Sequence, residues 1–231
     1  MKSWIFSIIS FFQFVTFAQE PKPEFLKEEY NRTFYERFAK KKKIPQAIRP
    51  QALIALAYFP ELENTRITFK FKKRKTPLTS RPKISSVLLP KGIRSYIITI
   101  STESTSSLAP ILFSALPYNA QIGVLGHEIA HIAAYETMST IQLIGLGFKI
   151  SNTKFADGFE FNTDKRSIAH GLGHQLLEWS IFVRKALDIK QWKGAMRDIS
   201  EGNEPEAGQR YMNPGTIKKY MGLYDIYNTS N

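Results

Sequence analysis

The sequence contains no cysteine, and only four of its 231 residues are histidine. Without cysteine the chain forms no disulfide, binds no metal through thiolates and has no cysteine nucleophile. A deformylase-type metal site, in which cysteine is a ligand, is therefore excluded. A domain of this length can be stable on its hydrophobic core alone, and no internal repeat divides the chain.

Acidic residues are also scarce, with 20 Asp and Glu against 32 Lys and Arg and a formal net charge of +12. Basic residues cluster at Lys40–Lys43 and within Lys70–Lys75. Such an excess can attract an anionic envelope polymer, or it can form a solvated face that keeps the protein in solution. No aromatic–basic RNA or DNA motif occurs, so we expect no nucleic-acid partner.

Long apolar runs are confined to the N-terminus. Lys2 precedes the apolar stretch Trp4–Phe17, and small residues follow at the positions that a signal peptidase recognises. The stretch is shorter than the roughly 20 residues that a membrane span needs. We predict a signal peptide over residues 1–18, with an uncleaved anchor as the alternative, and a single exported domain over residues 19–231 that has no membrane span and is periplasmic or extracellular.

Hydrophobic periodicity predicts an α+β fold. Apolar residues at helical spacing predict an amphipathic helix over Glu24–Lys43 and a short helix over Gln46–Tyr58. Alternation and β-branched content predict strands over Ile67–Lys73 and Arg94–Ser101, with Ser86–Pro90 as a candidate short strand. A small mixed sheet therefore precedes a mostly helical C-terminal half.

The C-terminal half begins with the most regular apolar stripe, which predicts a helix over Asn119–Met138. Five elements are predicted after it: an apolar segment at Thr140–Ile150, a polar loop at Ser151–Gly158, helices over Phe159–Ala169 and His174–Ile189 on either side of an HGLG turn, and a short helix near Pro214–Met221.

The stretch GVLGHEIAH, residues 123–131, places two histidines four residues apart on the predicted helix. Four residues turn an α-helix by about 400° and raise it by about 6 Å, so the rings of His127 and His131 can share a metal ion. Glu128 lies beside His127, where it can take a proton from a water activated by the metal and pass it to a leaving amine. The pattern HExxH predicts a zinc hydrolase. The alternative is a set of satisfied polar residues on a helix.

A hydrolytic zinc site needs a third protein ligand and an open fourth position. The candidates are Glu160, His170 and His174. Asp164 lies one turn after Glu160 and can accept a hydrogen bond from the ring nitrogen of His127 that faces away from the metal. An unbroken helix would place His174 about 21 Å from Glu160, whereas a turn at HGLG would bring a histidine back. We favour Glu160 and keep the histidines as alternatives.

With HExxH at residues 127–131 and ExxxD at residues 160–164, the chain resembles the gluzincin metallopeptidases, the group that includes the thermolysin-like and HtpX/CAAX-type peptidases. The resemblance covers residues 122–164. It implies a zincin-like fold in which an edge strand beside the HExxH helix pairs with an extended substrate. We assign Ile98–Thr102 to that edge.

The resemblance also implies a role for each matching residue: His127, His131 and Glu160 as zinc ligands, Glu128 as general base and Asp164 as the support of a ligand. The chain lacks the added membrane helices of the CAAX-type enzymes and the downstream histidine motif of the thermolysin-like ones. The donor that stabilises the transition state is therefore unassigned, with Tyr211 and His170 as candidates.

Together these features predict an exported zinc metalloendopeptidase that acts on peptides or proteins. One alternative is a zinc hydrolase of a non-protein substrate, because HExxH specifies the activation of water and not the bond attacked. The other is a basic envelope-binding protein with a structural or vestigial metal site. An enzyme kept latent by its own N-terminal segment, Gln19–Lys43, is a further hypothesis.

Overall fold

A computed structural model describes residues 19–189 and 211–228 of the chain. The predicted signal peptide, residues 1–18, lies outside the described residues. Within the described ranges, no helix is both long and apolar enough to cross a lipid bilayer. The architecture is α+β, as predicted, with a small sheet in the N-terminal half and a mostly helical C-terminal half.

The N-terminal half consists of short helices and a four-stranded sheet. Its elements are α1 (Arg32–Tyr35), β1 (Lys42–Lys43), α2 (Arg49–Ala57), β2 (Arg66–Phe71), β3 (Leu78–Pro82) and β4 (Ser95–Ile100). Short 3-10 turns connect them at Lys27–Glu29, Glu36–Ala39, Gln46–Ile48, Pro60–Leu62 and Ile84–Ser86, and two more, Ala109–Ile111 and Phe113–Ala115, follow β4.

The prediction of one helix over Glu24–Lys43 is wrong, because this stretch is divided into short turns. Lys41 has a φ of 57°, which ends the helical path and leads into β1. The Lys42 ammonium donates hydrogen bonds to backbone carbonyls between α2 and β2, including those of Leu62 and Thr65, each at 2.9 Å. This contact favours the extended path over a continuous helix. The predicted helix over Gln46–Tyr58 is confirmed by a 3-10 turn that continues into α2.

The sheet has the order β1-β2-β4-β3, in which β2 is parallel to both β1 and β4 and β3 is antiparallel to β4. The predicted strands β2 and β4 are confirmed. The candidate strand Ser86–Pro90 is wrong, since the chain there ends a 3-10 turn. Sequence analysis also missed β3, which is flanked by Pro77 and ends at Pro82, because proline is usual only at sheet edges.

The position of β3 corrects the assignment of Ile98–Thr102 to the substrate-pairing edge. Most of that stretch belongs to β4, which lies between β2 and β3 and has both neighbours. The strand at the edge is β3, and it contacts the helix that contains HExxH. Any extended chain that pairs with the sheet on this side must therefore pair with β3.

The described residues of the C-terminal half contain five α-helices: α3 (Tyr118–Thr137), α4 (Thr140–Lys149), α5 (Thr153–Ser167), α6 (Gly173–Ala186) and α7 (Pro214–Leu223). A last 3-10 turn follows at Asp225–Tyr227. Helix α3 lies at the centre, where it contacts α2, α5, α6 and β3, and its buried residues face all of these neighbours. The helices predicted over Asn119–Met138 and near Pro214–Met221 are confirmed.

The boundary of α5 differs from the prediction. Ser151–Gly158 is not a polar loop, because the Asn152 side chain accepts a hydrogen bond from the Phe155 N–H and starts the helix at Thr153. At the other end, Ile168–Leu172 forms a π turn before α6. Gly171 has a φ of 100° there, and a Cβ on it would lie 3.0 Å from the ring of Tyr58. The predicted HGLG turn is thus a break between two helices.

Candidate metal centre

Helices α3 and α5 bring two histidines and a glutamate together. The Nε2 atoms of His127 and His131 lie 3.0 Å and 3.1 Å from the same oxygen of Glu160, Oε2. One nitrogen or oxygen from each residue lies within 4.8 Å of those of the other two, which is close enough to hold a metal ion. Of the three candidates for a third ligand, only Glu160 belongs to this cluster.

The far side of the His127 ring is fixed by Asp164. Its Nδ1 lies 2.8 Å from Oδ1 of Asp164, so Nδ1–H donates to that carboxylate and Nε2 is the nitrogen that faces Glu160. The second carboxylate oxygen of Asp164 accepts a hydrogen bond from the backbone N–H of Met212 at 2.8 Å. Both oxygens of this buried carboxylate are therefore bonded, and the ring orientation is fixed from two sides.

The far side of the His131 ring is fixed by Thr163, which sequence analysis missed. Nδ1 of His131 lies 3.1 Å from Oγ1 of Thr163, and the Thr163 hydroxyl donates to the carbonyl of Phe159 at 2.9 Å. The hydroxyl must then accept from Nδ1–H, so Nε2 of His131 is the nitrogen that faces Glu160 in the cluster. The one feature of the sequence that could have indicated this role is position, since Thr163 directly precedes Asp164 on the helix that contains Glu160.

The electrostatics of the cluster favour a bound cation. Burial disfavours the charged form of His127, but its hydrogen bonds to Asp164 and Glu160 outweigh burial and raise its pKa well above the usual value. Burial likewise disfavours ionised Glu160, but hydrogen bonds from His127 and His131 outweigh it and lower the Glu160 pKa. The site therefore stabilises positive charge between these side chains, and a metal ion can supply that charge in place of protons.

Glu128 provides an independent test of whether the residues fit a metal. Its side chain is buried, and its Oε2 atom has no hydrogen-bond partner within the described residues. A buried carboxylate oxygen without a partner is costly unless a polar group from outside the chain completes it. A water next to a bound ion would be such a group. The donor set and this unpartnered oxygen both fit a catalytic metal.

A cavity of about 320 Å³ opens beside the cluster. His127 and Glu128 form part of its wall, and apolar side chains, including Leu78 at the start of β3, Val124 on α3 and Trp179 on α6, form much of the rest. The cavity is thus bounded by the edge strand, the HExxH helix and α6. It has room for an apolar group next to the carboxylate of Glu128.

The structure brings Tyr211 to the cavity but not the other histidines. The Tyr211 ring lies 5.6 Å from that of His127, and Tyr211 is part of the cavity wall. His170 donates from Nδ1 to the carbonyl of Arg166, and its Nε2 lies 2.9 Å from a carboxylate oxygen of Glu61. His174 packs against the ring of Tyr227, and burial lowers its pKa. Neither histidine belongs to the cluster of His127, His131 and Glu160, which we call the metal cluster.

Comparisons of the chain with protein families, with curated proteins and with solved structures found no match in any of the three. The interpretation of this site therefore depends on its own residues and geometry.

Proposed function

We propose that the protein is a zinc-dependent metalloendopeptidase that hydrolyses peptide bonds in extended polypeptides. The observation on which the proposal depends is the buried Oε2 of Glu128, which has no hydrogen-bond partner among the described residues and lies next to the cluster of His127, His131 and Glu160. Two imidazole nitrogens and one carboxylate oxygen are a donor set typical of hydrolytic zinc. The proposal includes export of the protein, which residues 1–18 would direct as a signal peptide.

A zinc ion bound by His127, His131 and Glu160 would supply a Lewis acid, which polarises the scissile carbonyl and lowers the pKa of water. Glu128 then takes the proton from the attacking water and delivers it to the leaving amine nitrogen. Tyr211, in the cavity wall, is the candidate donor to the developing oxyanion. Asp164 and Thr163 keep both histidine rings in the orientation that this chemistry requires.

Strand β3 is the proposed docking site for the substrate backbone. Ser101 N–H bonds to the carbonyl of Pro77, and Lys83 N–H bonds to the carbonyl of Ser95. These two bonds fix the phase of the antiparallel ladder, so the backbone groups of residues 79 and 81 face β4. Those of Leu78 and Ser80 face the outer edge, where the Ser80 carbonyl accepts a hydrogen bond from the Tyr135 hydroxyl at 3.4 Å. The backbone groups of Leu78 and the N–H of Ser80 are the ones with which an extended substrate can pair. The adjacent cavity would receive an apolar substrate side chain.

The test compares the wild-type protein with Glu128→Gln in zinc content and in hydrolysis of an unfolded protein. We expect about one zinc per chain in both, and turnover of the variant lower by roughly 10² to 10⁴-fold, because only the proton transfer is lost. A panel of simple esters and amides separates a peptidase from a hydrolase of other substrates. The proposal is contradicted if folded wild type contains no zinc after preparation with excess zinc, or if the variant is as active as wild type.

A second candidate function, binding of an anionic envelope polymer, is favoured by a groove of about 780 Å³ on the sheet side of the molecule. Its lining includes Lys73, Arg74, Lys75 and Arg81, and its one acidic residue, Glu103, pairs with Lys73. If this function is the main one, Glu128→Gln will keep the biological activity. Lys75→Glu combined with Arg81→Glu will abolish it together with binding to an anionic polysaccharide.

A further inference from the structure

The most exposed large apolar side chains of the described residues lie on two segments. Ile84 is 80% exposed, Leu88 78%, Ile141 83% and Phe148 77%. Elsewhere in the described ranges, no large apolar side chain is more than 55% exposed. Isolated exposed apolar residues are ordinary, whereas a concentration of them marks an interaction surface.

The two segments adjoin one another. The buried guanidinium of Arg94 donates to the carbonyl of Leu89 at 2.9 Å, to the carbonyl of Met138 at 2.7 Å and to Oγ1 of Thr140 at 3.1 Å. The Lys91 ammonium donates to the carbonyl of Thr137 at 2.6 Å. These bonds join the stretch before β4 to the junction of α3 and α4. We call the exposed side chains on both segments, Ile84, Leu88, Ile141, Ile144 and Phe148, the apolar face.

Helix α4 presents apolar side chains on the side that is normally polar. Leu143 is buried and packs into the core. Ile141, Ile144 and Phe148 follow one another at helical spacings of three and four residues, on a stripe that is exposed. A surface helix of a globular protein usually has charged or polar residues in such a stripe. The helix is therefore apolar on its solvent side as well as on its core side.

The surroundings of the apolar face are basic. Residues 83–94 and 138–156 contain no aspartate or glutamate. The acidic residues next to them are Glu136, which accepts a hydrogen bond from the Gly92 N–H at 3.2 Å, and the buried Asp157. Four exposed lysines occur in these same stretches: Lys83, Lys91, Lys149 and Lys154. Protein–protein interfaces are depleted in lysine, whereas lysine next to aliphatic and aromatic anchors is typical of surfaces that lie on anionic lipid. The long lysine stem also allows the ammonium to reach the phosphates while the apolar groups insert.

We propose that the apolar face docks on the surface of an anionic lipid bilayer. Ile141, Ile144 and Phe148 insert below the headgroups together with Ile84 and Leu88, and the lysines contact lipid phosphates. This peripheral contact needs no membrane-spanning helix. Helix α4 connects α3 to α5, which provide the three residues of the metal cluster. Docking would therefore hold the cluster close to the bilayer. The substrate class, which rests on the proposed peptidase function, is then proteins at the membrane surface.

The test is co-sedimentation of the full chain with phosphatidylcholine vesicles that contain or lack phosphatidylglycerol. The variant Ile141→Ser/Phe148→Ser removes two anchors. The control Ile181→Ser/Leu223→Ser removes two exposed apolar side chains elsewhere. Wild type and the variants have the same N-terminal sequence, so any difference in vesicle binding is caused by the substituted residues. We expect the partition coefficient on anionic vesicles to fall about tenfold or more in the first variant and to stay near that of wild type in the control.

A thermal unfolding scan of each variant establishes that it is folded, and Lys149→Glu/Lys154→Glu tests the charge. This lysine variant is expected to lose binding to anionic vesicles. The proposal is overturned if wild type does not prefer anionic vesicles, or if the anchor variant binds as wild type does. It is also overturned if gel filtration shows that wild type is a dimer and the anchor variant a monomer, while neither protein binds vesicles. None of these readouts depends on hydrolysis, so failure of the proposed peptidase activity would be recognised separately.

Discussion

At the scale of single residues, the metal cluster is organised by two neighbouring side chains on α5. Asp164 bonds Nδ1 of His127, and Thr163 bonds Nδ1 of His131. One turn of helix thus supplies the proposed ligand Glu160 and orients both of the other proposed ligands. A hydroxyl is a weaker partner than a carboxylate, but it fixes the same tautomer.

Thr163→Val is expected to weaken zinc binding by roughly tenfold or more, because the valine cannot accept the hydrogen bond of His131. The measurement is competition with a chromophoric chelator. The matched control is Thr163→Ser, which keeps the hydroxyl and should bind within a few-fold of wild type. Equal affinity in wild type and Thr163→Val would show that the observed bond does not contribute to the site.

The residues that could be predicted from the sequence are those whose spacing has a geometric meaning. His127 and His131 are four residues apart, and so are Glu160 and Asp164, so helix geometry alone places each pair on one helix face. Thr163 has no such signature, because threonine is common and its role appears only when α5 packs on α3. The positions of His170 and His174 could not be predicted either, since they depend on the break at Gly171.

At the scale of elements, Gly123 on α3 and Gly145 on α4 affect the stability of the fold in opposite ways. A Cβ on Gly123 would lie 2.2 Å from the backbone carbonyl oxygen of Gln175, so the glycine allows α3 and α6 to approach closely. A Cβ on Gly145 would meet nothing within 4 Å. The first glycine is required by packing. The second only lowers the helix propensity of α4.

Gly123→Ala is therefore expected to lower the free energy of unfolding by about 1–3 kcal/mol, since a backbone atom must move. Gly145→Ala should raise it by about 0.5–1 kcal/mol. Urea denaturation of both variants and wild type measures the two changes. Changes of the same sign in the two variants would contradict the helix packing described for α3 and α6.

The elements that sequence analysis predicted well are those with long or uniform patterns, such as α3, β2 and β4. Strand β3 was missed because it is short and proline flanks and ends it, and this omission led to the wrong edge assignment for Ile98–Thr102. The start of α5 was missed because residues 151–158 contain several polar residues and a glycine, as loops do. Only the cap formed by Asn152 distinguishes it from a loop, and that cap is visible as a bond only in the folded chain.

At the scale of the whole molecule, the metal cluster joins parts of the chain that are distant in sequence. His127 and His131 come from the central helix, and Glu160 comes from α5. Asp164 is bonded in turn to Met212, beyond α6. A ligand that binds only the folded state stabilises it by mass action. Metal binding is therefore expected to stabilise the helical half as a unit.

Zinc at about 1,000 times its dissociation constant should add about 4 kcal/mol to the free energy of unfolding. For a domain of this size, this corresponds to a rise in Tm of roughly 10 °C. Calorimetry of the protein with zinc and after chelation measures the difference, and His131→Ala should show almost none of it. An equal rise in His131→Ala would place the stabilising metal elsewhere on the protein.

The bond between Met212 and Asp164 also has a consequence for the time at which the site matures. A ribosome adds His127, Glu128, His131, Glu160 and Thr163 before it adds residue 212. A partly synthesised chain thus already contains every proposed metal ligand, but it lacks the N–H that holds the second oxygen of Asp164. Until that residue emerges, His127 is oriented by a carboxylate that lacks one of the two hydrogen bonds it has in the folded protein.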